Sequence, residues 1–246
     1  MKFFGIIPAR FASSRFPGKP LVNINGKSMI QRVYEQSLKA GCLSKVIVAT
    51  DDENIRKHVI AFGGEAVMTS AKHQSGTDRC YEAAQTFISM DGDDVIINIQ
   101  GDEPFIQPGQ IDKIASCFHS KETGIATLIK EITDEEELLN PNKPKVIINS
   151  YKEAIYFSRS PLPYLRAYQQ NEWLRNHIYY KHIGIYAYRM NVLEKISKLA
   201  PSSLELAESL EQLRWIENGF KIKIEVTDIE SFSIDTPEDL IKLEEK

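Results

Sequence analysis

Runs of apolar residues alternate with amphipathic segments along roughly the first half of the chain. Runs rich in Val and Ile predict buried strands, and apolar positions spaced three and four residues apart predict helices between them. The predicted strands are Phe3–Pro8, Lys45–Thr50, Asp94–Ile99 and Ala126–Lys130, and the predicted helices are Ser28–Ala40, Asp52–Phe62, Thr77–Met90 and Pro108–Ser120. This alternation predicts an α/β fold with a doubly wound, mostly parallel sheet.

The alternation stops at an acidic segment followed by the proline-containing run NPNKPK. Three strand-like runs come next, separated by an aromatic and basic stretch, and they are Lys145–Asn149, Glu153–Ser158 and His182–Tyr188. We interpret residues 131–190 as an antiparallel lobe inserted into a single domain spanning residues 1–246. The chain then returns to the α/β pattern with a helix, a strand and a terminal helix, predicted at Ser203–Glu217, Lys221–Val226 and after Thr236.

Composition narrows the class of protein. The formal net charge of −4 gives no global reason to bind nucleic acid or an anionic membrane. No apolar run approaches the ~20 residues of a membrane-spanning helix. The opening segment reaches Pro8 and Arg10 too early for a secretion signal, and the three cysteines lack metal-ligand spacing. We therefore expect a cytoplasmic protein with free thiols.

A basic loop, IIPARFASSRFPGKPL, follows the first predicted strand. It contains neither the glycine pattern of a dinucleotide-binding turn nor that of a Walker A loop. Instead it presents three cations, Arg10, Arg15 and Lys19. One guanidinium group can donate two parallel hydrogen bonds to the oxygens of a phosphate, while lysine acts as a point charge. The loop therefore predicts a triphosphate site. The alternative is a solvated loop that aids only solubility, which fits poorly with three cations and two prolines after a buried strand.

Two aspartates stand at predicted strand ends, Asp102 in NIQGDEPFI and Asp235 in SIDTPEDL. Mg²⁺ favours a few carboxylates together with phosphates, so both are candidate metal ligands. A turn in which Asp102 bonds its own backbone stays open as the alternative. In the second segment, a helix start explains Thr236 as the cap and the acidic residues as partners of the helix dipole. It does not explain why an aspartate stands at position 235.

The segment HQSGTDR, His73–Arg79, contains a tight turn that opens a helix. Its backbone N–H groups could contact a ribose, a base or an anion. By itself this segment is also ordinary turn chemistry.

These four segments, in this order, resemble those of the CMP-KDO synthetases, which are 3-deoxy-manno-octulosonate (KDO) cytidylyltransferases. The similar segments run nearly from end to end: IPARFASSRFPGKPL, INGKSMI, VIVATDDENI, GGEAVMTSAKHQSGTDR, INIQGDEPFI, NPNKPKVI, YFSRSPLPY, KHIGIYAYR, LEQLR and IDTPEDL. Residues 166–176 carry no resemblance. Ser28 stands where the family often has proline, and Asp78 where glutamate is frequent.

The resemblance implies a nucleotidyltransferase fold, Rossmann-like, and a homodimer formed through the inserted lobe. It implies a catalytic set of Lys19, Arg10, Arg15, Asp102 and Asp235, in which the two aspartates bind Mg²⁺. The implied nucleotide-binding residues are Pro8, Ala9, Arg10, Ser13, Arg15, Lys19, Ser75, Gly76, Arg79 and Gln100.

The implied sugar-binding residues are Arg159, His182, Tyr186 and Glu211. Considered without the resemblance, His182 reads as a structural strand histidine and Glu211 as a solvated helix residue paired with Arg214. Arg159 is the first candidate to bind the carboxylate of the sugar, because a guanidinium group can donate two parallel hydrogen bonds to one carboxylate.

The implied reaction transfers CMP from CTP to the anomeric hydroxyl of KDO and releases pyrophosphate, forming CMP-KDO for lipopolysaccharide synthesis. The sequence offers no obvious protein base, so we expect Mg²⁺ to activate the hydroxyl. One alternative is a cytidylyltransferase for a related sugar acid, 8-amino-KDO or a sialic acid. Another is a non-catalytic nucleotide-binding relative, against which the presence of Lys19, Asp102 and Asp235 counts.

Overall fold

The structure is a computed structural model that describes residues 1–12, 16–87 and 91–244, with side chains described up to residue 240. The chain forms two compact units. The first comprises Met1–Ala115, Ala187–Ser197 and Ser231–Lys246, and the second comprises Ser116–Tyr186 and Lys198–Glu230.

Strands and helices follow each other along the described chain. The strands are β1 (Phe3–Ala9), β2 (Asn23–Ile24), β3 (Lys27–Ser28), β4 (Leu43–Thr50), β5 (Ala66–Met68), β6 (Val95–Asn98), β7 (Ile125–Glu131), β8 (Lys145–Ile148), β9 (Ala154–Ser158), β10 (Tyr180–Arg189) and β11 (Ile222–Val226). The α-helices are α1 (Met29–Ser37), α2 (Glu53–Ala61), α3 (Gly76–Phe87), α4 (Pro108–Ser116), α5 (Glu135–Leu139), α6 (Trp173–Asn176), α7 (Met190–Ile196), α8 (Ser203–Glu208), α9 (Gln212–Glu217) and α10 (Pro237–Glu244). Short 3₁₀ turns lie at Lys19–Leu21, Cys117–His119 and Gln170–Glu172.

The first unit is built on parallel strands in the order β6-β1-β4-β5. Ile6 pairs with both Ile47 and Asn98, and all three residues are buried. Strands buried on both faces give the continuous apolar runs that predicted them. The predicted α/β class with a mostly parallel sheet is confirmed. Parallel pairing brings the carboxyl ends of β1, β4 and β6 to one edge, and the loops that follow them lie there.

Side chains cap the helices between these strands. The Ser28 hydroxyl accepts the N–H of Gln31 at 3.3 Å, so the predicted cap of α1 is confirmed. Asp52 caps α2 by accepting from two backbone N–H groups at 2.8 and 3.0 Å. Helix α3 starts one residue earlier than predicted, at Gly76, and the predicted end at residues 88–90 lies outside the described residues.

The second unit has both strand directions. β7 pairs in parallel with β11, whereas β8 pairs antiparallel with β9 and with β10. The predicted antiparallel character therefore holds for β8, β9 and β10. The unit has wider limits than the lobe predicted at 131–190, because it also takes in β7, β11, α8 and α9.

One prediction in this part of the chain was wrong. The helix predicted at Ser203–Glu217 is two helices, α8 and α9, since Ser209 between them adopts a left-handed backbone with φ of 51°. The acidic segment after β7, for which no helix was predicted, contains the short helix α5, and Asp134 caps it by accepting the N–H of Glu137 at 3.1 Å. Glutamates in the first turn favour such a helix because they complement its dipole.

The aromatic stretch of the second unit forms a small core of its own. Trp173, at the start of α6, packs with Ile132, Leu138 and Tyr179. Across the described residues, no helix is both long enough and apolar enough to cross a membrane.

A close approach of two backbone segments generates a test of the first unit. A Cβ atom placed on Gly101 would lie 2.8 Å from the carbonyl oxygen of Pro8. We expect Gly101→Ala to force a backbone shift costing about 1–3 kcal/mol, seen as a lower Tm in calorimetry. Gly41→Ala is the control, since the nearest atom to its Cβ would be 4.0 Å away. Equal melting temperatures for the two variants would contradict this account of the contact.

Candidate functional site

An open cleft of about 220 Å³ lies in the first unit, beyond the carboxyl ends of β1 and β6. The N-terminal end of α3 and the segment before α10 complete its walls. The lining includes these residues predicted from the sequence: Pro8, Ala9, Arg10, Lys19, Ser75, Gly76, Arg79, Gln100, Asp102 and Asp235. Two further predicted residues, Ser13 and Arg15, lie outside the described residues.

Lys19 bridges the two predicted metal ligands. Its Nζ lies 2.8 Å from Asp102 Oδ2 and 3.3 Å from Asp235 Oδ1. Lys19 begins a 3₁₀ turn directly after Gly18, whose φ of 73° is a conformation that glycine adopts without strain. The turn points the ammonium group inward, so that only 13% of the Lys19 side chain is exposed.

Backbone contacts hold both aspartates in place. The N–H of Ile234 donates to the carbonyl oxygen of Asp102 at 2.9 Å. Ile234 is fully buried against Ile24 and Met29, which anchors the C-terminal segment. The Asp239 carboxylate accepts the N–H of Asp235 at 3.0 Å. The two carboxylates therefore meet because their backbones are fixed, and Lys19 joins them.

The donor chemistry of this pair suits Mg²⁺. The Lys19 ammonium shows that oxygens of Asp102 and Asp235 can converge on one positive charge. Within the described ranges, no group of three or more His, Cys, Asp or Glu side chains is arranged to hold a metal. Mg²⁺ is commonly bound by one or two carboxylates plus substrate phosphates rather than by an all-protein cage. The pair thus fits a metal that is bound together with a nucleotide.

Arg79 forms a second charged cluster in the cleft. The residue is 3% exposed, and its Nη1 donates to Thr69 Oγ1 at 2.5 Å. Its Nη2 donates to Asp51 Oδ2 at 2.9 Å. Sequence reasoning missed Asp51 and Thr69. Their positions in the sequence could have indicated them. Asp51 directly follows the predicted strand β4 and Thr69 directly follows the short strand β5, at the sheet edge where ligands bind in such folds.

The lining also contains residues that were not predicted. His73 Nε2 contacts the carboxylate of Glu82, which also accepts the N–H of Ser70 at 2.8 Å. These contacts fix the turn that leads into α3. Gln74, Pro20 and Gly101 complete the wall.

In the second unit, Arg159 binds the backbone. Its guanidinium donates to the carbonyl oxygens of Glu208, Pro141 and Ser209, at 2.6, 2.9 and 3.2 Å. The Glu208 carboxylate accepts the N–H of Arg159 at 2.9 Å and the hydroxyl of Ser158 at 2.7 Å. Arg159 therefore secures the left-handed corner at which α8 ends.

His182 and Tyr186 lie side by side on β10, with ring centroids 5.1 Å apart. His182 also lies against the Phe157 ring and hydrogen-bonds Thr127 Oγ1 at 3.1 Å. Burial lowers the pKa of His182 to about 3, so the ring is neutral near pH 7. Burial, reinforced by the charge of Glu211, raises the pKa of Tyr186 well above its usual value of 10. Both side chains therefore present neutral hydrogen-bonding groups.

Glu211 stands at the start of α9, beside the corner that Arg159 secures. The pairing of Glu211 with Arg214 stays a prediction. The Arg214 guanidinium donates to both carboxylate oxygens of Glu205, at 2.7 and 2.5 Å.

Comparisons with known proteins agree with this geometry. A family model described as cytidylyltransferase matches residues 4–224. The 3-deoxy-manno-octulosonate cytidylyltransferase of Parabacteroides distasonis is 59% identical, over 98% of this chain and 96% of that protein. The protein of the same name from Bacteroides thetaiotaomicron is 57% identical, over 100% of this chain and 98% of that protein. A solved structure of CMP:2-keto-3-deoxy-manno-octonic acid synthetase complexed with CTP has a TM-score of 0.91 and 42% identity, covering 99% of this chain and 97% of that one.

A parallel α/β sheet with a basic, carboxylate-bearing cleft beyond its strand ends, together with these matches, defines a nucleotidyltransferase. Within that class, the chain belongs to the cytidylyltransferase family, in the branch of the 3-deoxy-manno-octulosonate cytidylyltransferases.

The neutral His182 generates a test of pH dependence. An unfolded histidine titrates near pH 6.5, so below that pH the unfolded chain binds a proton that the folded ring excludes. The stabilisation is present above about pH 7 and is lost as the pH falls toward the folded value. We expect the free energy of unfolding to lose about 2 kcal/mol from this group by about pH 5.

His182→Gln should remove this part of the pH dependence. Both tryptophans, Trp173 and Trp215, belong to the second unit, so their fluorescence during urea unfolding reports the relevant part of the chain. The exposed His119, replaced by Gln, is the matched control and should keep the wild-type slope. A wild-type slope in His182→Gln would show that the ring titrates normally.

Proposed function

We propose that this chain transfers CMP from CTP to the anomeric hydroxyl of KDO, releasing pyrophosphate and forming CMP-KDO. The observation that carries the proposal is the full-length match to cytidylyltransferases of that substrate, at 59% identity. The cleft agrees with it, since cations and carboxylates converge where a nucleoside triphosphate needs both.

The chain's own residues divide the work on the nucleotide. Arg10 and Lys19 supply positive charge for the triphosphate, and the N-terminal end of α3 offers backbone N–H groups. In the structure, the Lys19 ammonium is shared by Asp102 and Asp235. On binding of CTP we expect Lys19 to exchange a carboxylate contact for a phosphate oxygen. Arg15 is assigned to the same phosphates from its place in the loop sequence.

We also propose that Asp102 and Asp235 hold Mg²⁺ together with phosphate oxygens of CTP. The convergence of both carboxylates on one ammonium group supports this ligand set. Bound there, the metal supplies charge neutralisation of the leaving pyrophosphate and polarisation of the α-phosphate.

In the transfer, the anomeric oxygen forms a bond to the α-phosphorus while the bond from that phosphorus to the oxygen between the α- and β-phosphates breaks. That oxygen leaves as a terminal oxygen of pyrophosphate. The hydroxyl proton is lost to solvent. Positioning and neutralisation of phosphate charge contribute most of the rate enhancement in such reactions. Neutral His182 and protonated Tyr186 suit recognition of sugar hydroxyls, and neither is suited to carry charge near pH 7.

Arg159, His182, Tyr186 and Glu211 are our proposed sugar-binding residues. Three carbonyl contacts already engage the Arg159 guanidinium, so any bond to the sugar carboxylate must use its remaining N–H groups. This favours a role for Arg159 in holding the corner beside Glu211, with sugar binding as an addition to it.

We further propose a cytoplasmic homodimer that associates through residues 131–190, in a pathway that makes lipopolysaccharide. Exposed apolar side chains within that range support an interface: Tyr151, Ile155, Tyr164 and Ile178. Light scattering of the purified protein tests this, and a monomer at micromolar concentration would refute it.

Asp102→Asn tests the assignment of the metal ligand. We expect turnover to fall by about 10²–10³, because charge neutralisation matters most in the transition state, while CTP affinity falls much less. Steady-state kinetics and calorimetric titration with CTP separate the two effects. Asp93→Asn, with a side chain 79% exposed in the same unit, is the control. Equal losses of turnover and affinity would mean that Asp102 binds the ground state only.

The substrate is tested by pyrophosphate release from CTP with KDO, its 8-amino analogue and a sialic acid. We expect kcat/KM to be highest for KDO. Sites that hydrogen-bond hydroxyls can reject unmatched analogues by ~10⁴-fold, which is our expectation for the sialic acid. A sialic acid as the best substrate would overturn the sugar but leave the cytidylyl transfer standing. No release with any of the three would favour a non-catalytic nucleotide-binding role.

A further inference from the structure

Arg79 is held at both ends of its guanidinium group by residues from two different strand ends. Asp51 directly follows β4 and Thr69 directly follows β5, while Arg79 lies in the first turn of α3. The two anchors bind different nitrogens, Nη2 and Nη1, at 2.9 and 2.5 Å. The N–H of Thr69 in turn donates to the carbonyl oxygen of Thr50 at 2.8 Å, which ties the two strand ends together. Two contacts on two nitrogens fix the plane of the guanidinium, not only its position.

The fixed guanidinium keeps donors available to a ligand. A guanidinium has five N–H groups, and its two side-chain contacts among the described residues use two of them. Arg79 lines the cleft although it is almost fully buried. A ligand in the cleft can therefore receive directional hydrogen bonds from a guanidinium whose plane is set by two protein contacts.

The charge of Arg79 separates it from the other cations of the cleft. Asp51 Oδ2 lies 2.9 Å from Arg79 Nη2, so the carboxylate neutralises the charge of the guanidinium. The Asp51 side chain is only 16% exposed, so little solvent screens the pair. Arg10, by contrast, is exposed on the basic loop. Phosphates favour net positive charge, whereas a neutralised, planar donor group suits a neutral ligand with adjacent acceptors.

We propose that Asp51 is a positioning residue for base recognition, holding Arg79 so that its remaining N–H groups donate to O2 and N3 of the cytosine of CTP. Cytosine presents two adjacent acceptors at O2 and N3. Uracil carries a hydrogen on N3, so in UTP a donor would face a donor. A buried donor left without an acceptor is costly, and the cleft thereby selects CTP over UTP. This inference rests on the proposed function, since it requires CTP as the nucleotide.

Asp51→Asn tests the inference by binding measurements made without any sugar. We expect the Kd for CTP to rise about tenfold and the Kd for UTP to change little, so that the preference for CTP shrinks about tenfold. In the complete reaction, KM for CTP should rise while kcat at saturating CTP changes by less than about twofold. Asp52→Asn is the matched control, because Asn caps a helix as well as Asp does, and the CTP preference should be unchanged.

A parallel loss of CTP and UTP affinity would overturn the inference, since it would mean that Arg79 contacts the ribose or the phosphates. An unchanged ratio of affinities would overturn it equally. If Asp51→Asn does not fold, Thr69→Val decides, because it removes one anchor while keeping size and the ion pair. We expect a smaller loss of CTP preference in Thr69→Val than in Asp51→Asn. An unchanged CTP preference in Thr69→Val would refute the proposal. Failure to transfer CMP to KDO, with CTP preference intact, would overturn the proposed function alone.

Discussion

The arrangement of the cleft depends on one ammonium group shared by two carboxylates. Lys19, Asp102 and Asp235 come from segments separated by 83 and 216 residues along the chain, yet all three meet within hydrogen-bonding distance of Lys19 Nζ. Two carboxylates brought together without a cation would repel each other, so the lysine permits their approach. The same convergence suits the larger charges of a nucleotide and of the metal that we propose.

Parallel strand pairing is what makes this meeting possible. Because β1, β4 and β6 run in the same direction, the loops after them emerge at one edge. The loop after β6 approaches β1 so closely that a side chain at Gly101 would meet the backbone of Pro8. That approach brings the aspartate next in sequence toward the basic loop, and the buried Ile234 does the same for the C-terminal segment.

The strands of the first unit were predictable because they are buried on both faces and therefore apolar throughout. The caps were predictable because Ser28 acts within one turn of its helix. The break between α8 and α9 was not, since a serine at φ of 51° is held there by an arginine about fifty residues earlier in the chain. The same limit applies to Asp51, whose partner Arg79 is 28 residues away and becomes a neighbour only through the sheet. Local rules find the loops that carry a site, and tertiary contacts decide which side chains act as pairs.

The division of the first unit into three separate stretches of chain has a consequence for its biosynthesis. A ribosome makes Lys19 and Asp102 early, but Asp235 belongs to the final stretch, Ser231–Lys246. A nascent chain therefore carries a basic loop with one aspartate while the intervening second unit is still being translated. Any product of premature termination before residue 235 lacks the second carboxylate, whatever the quality of its folding. The order of residues along the messenger thus keeps the cleft incomplete until the whole second unit and the start of the third stretch have been translated.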